Sequence, residues 1–186
     1  GLGLDNWAGD IAKAANAPKL LLLGEELQKQ KLLPDVSAAD AAATQIAAAH
    51  DHEPHDGPCD HGHAHGGANP PFWLDPVAAR DCVEIIRREL AAADPDGAAL
   101  YAQNAAAYSR ELHDLHNETS STLACCHGAS FVSFHNGFTY LAERYGIRVA
   151  AVIEECPGKT PSERHVAMVT EELRKLSART VFAEPQ

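Results

Sequence analysis

Apolar residues recur at helical spacing in the middle of the chain. Ala79, Cys82, Val83, Ile86 and Leu90 mark one face, and Arg80, Glu84, Arg87 and Arg88 mark the other. Asp75 is a good N-cap, and Pro76 sits at the first helical position, where no backbone donor is needed. A helix from Pro76 to near Ala93 follows. Asp94-Pro95 repeats the device, and Tyr101, Tyr108, Leu112 and Leu115 then recur at seven, four and three residues. That predicts a second helix running to about Leu123. At roughly 28 residues it would be about 42 Å long, more than a small lobe is wide. It reads as a spine joining two lobes.

Trp7 and Ile11 lie in a short amphipathic stretch, and the run Leu20 to Leu23, ending at Gly24, reads as a short strand. Residues 34–49 are alanine-rich and weakly patterned. From Ser130 the texture becomes βαβ: a strand over Phe131–Phe134, a helix carrying Phe138, Leu141, Ala142 and Tyr145, and a strand over Ile147–Ile153. Thr160-Pro161-Ser162-Glu163 forms a capping box with proline at the first helical position. Val166, Val169, Leu173 and Leu176 mark the core face of the helix that follows. Val181–Ala183 is the next strand. The expected class is α/β, with two lobes of parallel-type sheets flanked by helices and joined by one long rigid helix. The lobes divide as 1–93, including a histidine-rich loop over 50–68, a linking helix over 94–127, and 128–186. The chain opens on Gly1 rather than Met and stops one turn after its last strand, so a piece of a longer protein is expected.

Composition narrows the function. Fifteen Lys and Arg against 26 Asp and Glu give a net charge of −11, which disfavours nucleic acid or anionic lipid and suits a cation. No apolar run approaches the twenty residues of a membrane span. Cys59, Cys82, Cys125, Cys126 and Cys156 are too few and too scattered for a disulfide framework, and none forms a CxxC pair. HExxH, GxSxG and Gly-rich phosphate-loop motifs are absent from the sequence, so a binding protein is expected rather than an enzyme.

Between His50 and His65, eleven of sixteen residues are His, Asp, Glu or Cys, and six are histidines: His50, His52, His55, His61, His63 and His65. Interspersed with Gly and Pro, this segment reads as a surface loop. Neutral imidazoles flanked by carboxylates suit capture of zinc, copper or nickel. The bland alternative is a polar linker. His135 is different in kind, because it follows Phe131–Phe134 at the carboxyl end of a parallel strand, where open α/β sheets place ligands. Its bland alternative is a partly buried histidine bonded to a backbone carbonyl. His113 and His116 lie three apart on the long helix, where a solvated face explains them better than a shared metal. Cys125-Cys126-His127 are adjacent and point apart, and His165 is expected at the surface.

Three marks decide about His135: Asn69-Pro70-Pro71-Phe72-Trp73-Leu74-Asp75-Pro76, Phe134-His135-Asn136-Gly137-Phe138, and Val181-Phe182-Ala183-Glu184-Pro185-Gln186. In order and spacing they resemble those of zinc-binding ABC-transporter solute-binding proteins, the zinc/manganese metal receptors, over nearly the whole chain. An acidic histidine-rich loop before the first mark is similar too. The resemblance implies a two-lobed receptor, periplasmic or otherwise extracytoplasmic and in some cases lipid-anchored. It would be a monomer that holds one Zn2+, alternatively Mn2+, between its lobes and delivers it to a membrane ABC permease. In the resemblance His135 matches the ligand histidine of the second lobe. Glu154 or Glu155 sits where manganese-type relatives place a carboxylate.

One departure stands out. The first-lobe ligand histidine, two residues before Trp73, falls on Pro71, whose side chain cannot coordinate. Zinc prefers four ligands, so His135 needs company. His65 or His63 folding back, and Glu155 or Glu154, are the candidates. The main rival function is a zinc store or chaperone acting through the loop alone; a metal-dependent hydrolase is a third reading.

Overall fold

The computed structural model describes residues 6–36, 71–154, 160–176, 178 and 180–183. The chain divides into two compact units, the first drawn from Gly1–Pro34 and Pro70–Cys125, the second from Asp35–Asn69 and Cys126–Gln186.

The described part of the first unit is helical. It comprises α1 (Asn6–Ala14), α2 (Leu23–Lys29), a 3-10 turn (Phe72–Leu74), α3 (Pro76–Ala93) and α4 (Ala98–Leu123). The leucine run is not a strand. Leu20–Leu22 are irregular, and Leu23 opens α2, whose first turn carries Glu25 and Glu26, charges that favour a helix N-terminus. With no described strand beside it to take ladder hydrogen bonds, burial of Leu27 against the helices is what the segment gains instead.

Helix α3 begins where its cap dictates. Asp75 is fully buried and its Oδ1 accepts from the Val77 N–H at 2.9 Å. Its buried stripe is Ala78, Cys82 and Ile85, offset from the expected one, with Ile86 and Leu90 left exposed. Helix α4 starts later than Asp94-Pro95 suggested. The Asp94 carboxylate is committed to the turn before the helix, accepting from the Gly97 N–H at 3.2 Å and the Tyr101 hydroxyl at 2.6 Å. These bonds lower the Asp94 carboxyl below its ordinary value, the tyrosine first, and the Asp94 carboxylate in turn raises Tyr101. A Cβ at position 97 would lie 2.5 Å from Asp94 Oδ2, so a larger residue there would push the Asp94 and Tyr101 side chains aside. The helix has 26 residues, about 39 Å, and of its expected apolar face only Leu112 is buried; Tyr108 and Leu115 are exposed.

The second unit carries β1 (Ser130–Ser133), α5 (Thr139–Arg144), β2 (Arg148–Val152), α6 (Glu163–Lys175) and β3 (Val181–Phe182), a three-stranded parallel sheet of order β2-β1-β3. Phe131, Val149 and Val152 pack with Ala142 of α5, while Val132, Ala150 and Ala151 pack with Val169 of α6. Neighbours Ala150 and Ala151 share a cluster because the register slips between Phe131 and Val132. Phe131 faces Val149 but Val132 faces Ala151, leaving Ala150 as the extra residue of a bulge. Helix α6 is capped by Ser162, whose Oγ accepts from the His165 N–H at 3.2 Å, rather than by Thr160. Its buried residues are His165 and Val169, and Val166 is exposed, so the expected core face is displaced at its first position.

Candidate metal centre

The carboxyl ends of β1 and β2 lie side by side, and among the residues that follow them His135 and Glu154 form a polar pair. Past Ser133 and Val152, which face each other, the same register brings His135 abreast of Glu154. The bulge at Ala150 sets this: without the extra residue, Ile153 would fall beside His135. Backbone bonds carry the pairing beyond the strands, with Ile153 N–H donating to the Ser133 carbonyl and Glu154 N–H to the Phe134 carbonyl, both at 2.9 Å. On its other side Phe134 N–H donates to the Phe182 carbonyl of β3 at 2.9 Å, so the β1 end is held from both flanks.

His135 is fixed from its backbone outward. Its carbonyl accepts from Ser133 Oγ at 2.6 Å and from the Gly137 N–H at 2.9 Å, closing a tight turn, and Thr139 Oγ1 donates to Asn136 Oδ1 at 2.9 Å just beyond it. The Phe134 ring meets the imidazole edge-on at 4.8 Å between centroids. His135 Nδ1 is hydrogen-bonded to Glu154 Oε2, with the glutamate side chain only 10% exposed and the histidine 36%. A carboxylate acceptor places the ring proton on Nδ1 and the lone pair on Nε2. Metal-binding imidazoles are oriented in this way, one nitrogen donating to a carboxylate and the other presented to the ion. Chemically, such a pair can serve a metal-binding imidazole that is oriented by a carboxylate.

The other sequence candidates fare differently. Glu155, His63, His65 and the whole histidine-rich segment lie outside the described residues, as do Cys59 and Cys156. Pro71 is half-buried and caps the 3-10 turn before Asp75. His113 is exposed, its Nε2 hydrogen-bonded to Asn117 Nδ2 at 3.1 Å, one turn along the same helix. Among the described residues no group of three or more His, Cys, Asp or Glu side chains comes together around a common point, His113 and His116 included. Cys125 is exposed, with its Sγ donating to the Thr122 carbonyl at 3.7 Å, and Cys126 is half-buried. The His127 ring lies over Gly146, where a Cβ would come within 2.5 Å of it and where φ is +65°.

His165 is a correction. Expected at the surface, it is 1% exposed, and its Nε2 is 2.8 Å from the Val152 carbonyl. The reason is the cap: Ser162 starts the helix beside the end of β2, which turns position 165 toward the sheet. The pattern Ser-x-x-His gave no signal of this beyond the serine itself.

Comparison with known proteins identifies the family. Over residues 6–186 the chain matches the family described as zinc-uptake complex component A, periplasmic. The high-affinity zinc uptake system protein ZnuA of Brucella abortus is 33% identical over 115 residues, 62% of this chain and 34% of the relative. Matches of this kind span about a third of the relatives' length. Among solved structures, the solute-binding protein FpvC of Pseudomonas aeruginosa in complex with Mn2+ is similar, with a TM-score of 0.56 at 29% identity, over 62% of this chain and 44% of that one. The Zn(II)-bound AdcAII E280Q variant of Streptococcus pneumoniae gives a TM-score of 0.55 at 27% identity, over 61% and 42%. With its parallel sheet, its long helix and a match that runs through nearly all its residues, the chain belongs to the family of periplasmic zinc-uptake component A proteins.

Proposed function

We propose that the protein is an extracytoplasmic metal-ion receptor, with Zn2+ as its cargo, that passes the ion to a membrane ABC permease. The observation that carries this reading is the His135–Glu154 pair at adjacent strand ends, which presents an imidazole lone pair from a fixed ring. His135 is the ligand, through Nε2, and Glu154 orients it. A tetrahedral zinc site needs further donors, for which Glu155 and His65 are the candidates from this chain. The residues His50, His52, His55, His61, His63 and His65 form an auxiliary collector that raises the local ion concentration. Nitrogen ligation favours Zn2+; a carboxylate entering the site would admit the harder Mn2+, the ion held by the similar FpvC. Release to a permease rests on the family's role in uptake. No described helix is long and apolar enough to cross a membrane.

Calorimetric zinc titration of the intact protein, of a deletion of residues 50–65 and of His135→Ala tests the reading. One tight site should survive the deletion and disappear with His135→Ala. Tight binding that is lost with the loop and indifferent to His135 would make the protein a loop-based zinc store instead.

A further inference from the structure

The Val152–Ile153 peptide decides where Glu154 stands. Its N–H donates to the Ser133 carbonyl on β1 at 2.9 Å. In a trans peptide the carbonyl points the opposite way, so the Val152 oxygen faces away from β1. Strand β2 is the outer strand of the described sheet on that side, and no described strand continues the ladder there. An interior carbonyl left without a donor would be costly. His165 supplies one, reaching from the first turn of α6 with Nε2 at 2.8 Å. The imidazole is 1% exposed and the backbone N–H of His165 is held by the cap serine, so the residue ties the start of α6 to the end of β2 with little freedom at either point.

We propose that His165 is a positioning residue for the metal centre. By bonding the Val152 carbonyl it fixes the peptide whose N–H registers β2 on β1, and so sets the Glu154 carboxylate, two residues on, against His135 Nδ1. The chain of contacts is short: His165 Nε2, Val152 carbonyl, Ile153 N–H to Ser133, Glu154 N–H to Phe134, Glu154 carboxylate, His135 ring. His165 touches no ion; it acts through the carboxylate. This rests on the reading of His135 as a ligand.

Three variants of the intact protein test it: His165→Leu, which keeps bulk but has no donor; His165→Gln, whose amide nitrogen can replace Nε2–H; and His135→Ala. Zinc affinity is read by chelator competition, and the His135 ring tautomer by its nitrogen-15 shifts in the metal-free protein. His165→Leu is expected to weaken zinc roughly tenfold, the low end of the range for residues behind a ligand, and to lose the Nδ1–H signature of His135. His165→Gln should restore both. Equal affinities for Leu, Gln and wild type, with His135→Ala still abolishing binding, would overturn the positioning role and leave the ligand in place. Equal losses for Leu and Gln would also overturn it, because the donor would not matter. Tight binding in His135→Ala would overturn the metal centre itself. Should the leucine variant fail to fold, the tautomer in His165→Gln decides: a native Nδ1–H supports the role, and a changed tautomer refutes it.

Discussion

Replacing Glu154 by glutamine removes one negative charge while keeping the shape of the side chain, and it acts on the side-chain contact that orients His135. The glutamate side chain is 10% exposed, so water competes little for its bond to His135 Nδ1. An amide oxygen still accepts that proton, but without the charge that strengthens the bond and holds the ring at one angle. Loss of an orienting carboxylate costs about 10–100-fold in metal affinity, or about 1.4–2.7 kcal/mol. The shelter of Glu154 puts the expectation in the upper half of that range. Chelator competition at neutral pH on the intact protein measures it, with His135→Ala as the reference for loss of the ligand. Glu154→Gln should fall clearly between wild type and His135→Ala. An affinity indistinguishable from wild type would refute the orienting role. A loss as complete as that of His135→Ala would make Glu154 a ligand itself.

Three further outcomes are expected. Val132 is fully buried between sheet and α6, so Val132→Ala should lower the stability of the second unit by about 2–3 kcal/mol, from two buried methyl groups plus a cavity; urea unfolding checks this, and a loss under about 0.5 kcal/mol would contradict the packing. Asp75→Ala removes the N-cap of α3 and should cost about 1–2 kcal/mol by the same assay, whereas an unchanged midpoint would mean that the cap bond contributes nothing. Burial, then the charge of Asp81, pushes the Cys82 thiol up to about 11. Because that exceeds the ordinary thiol value of about 8.5, its contribution to stability is complete below that value and lost as pH rises toward 11. Native alkylation at mildly basic pH, read by peptide mapping, should therefore modify exposed Cys125 and spare Cys82.

Local chemistry was the most legible part of this chain. Asp75-Pro76 started α3 where it was expected to start, because a cap and a proline act on their own neighbours. The βαβ segment was legible for a similar reason: each strand and helix is short and carries its own pattern, and the parallel pairing of β1 with β2 follows from the helix between them. His135 could be placed at a strand end before any contact was known. What depended on partners was less visible. Leu20–Leu23 resembled a strand, yet a strand needs a neighbour and a helix does not. Asp94 looked like a cap, but Tyr101, seven residues on, shares its carboxylate. Glu154 and Glu155 were equivalent in sequence, and only the bulge at Ala150 sets Glu154 abreast of His135. His165 lay on a helix face that looked solvated, and nothing in its neighbourhood announced the carbonyl of Val152.

The most direct test of the central claim is zinc-edge anomalous scattering from crystals of the intact protein loaded with one equivalent of zinc. A peak about 2.0–2.1 Å from His135 Nε2, with Glu154 bonded to Nδ1 on the far side of the ring, is the predicted result. Ordered zinc bound elsewhere, with no nitrogen of His135 in its coordination sphere, would contradict it.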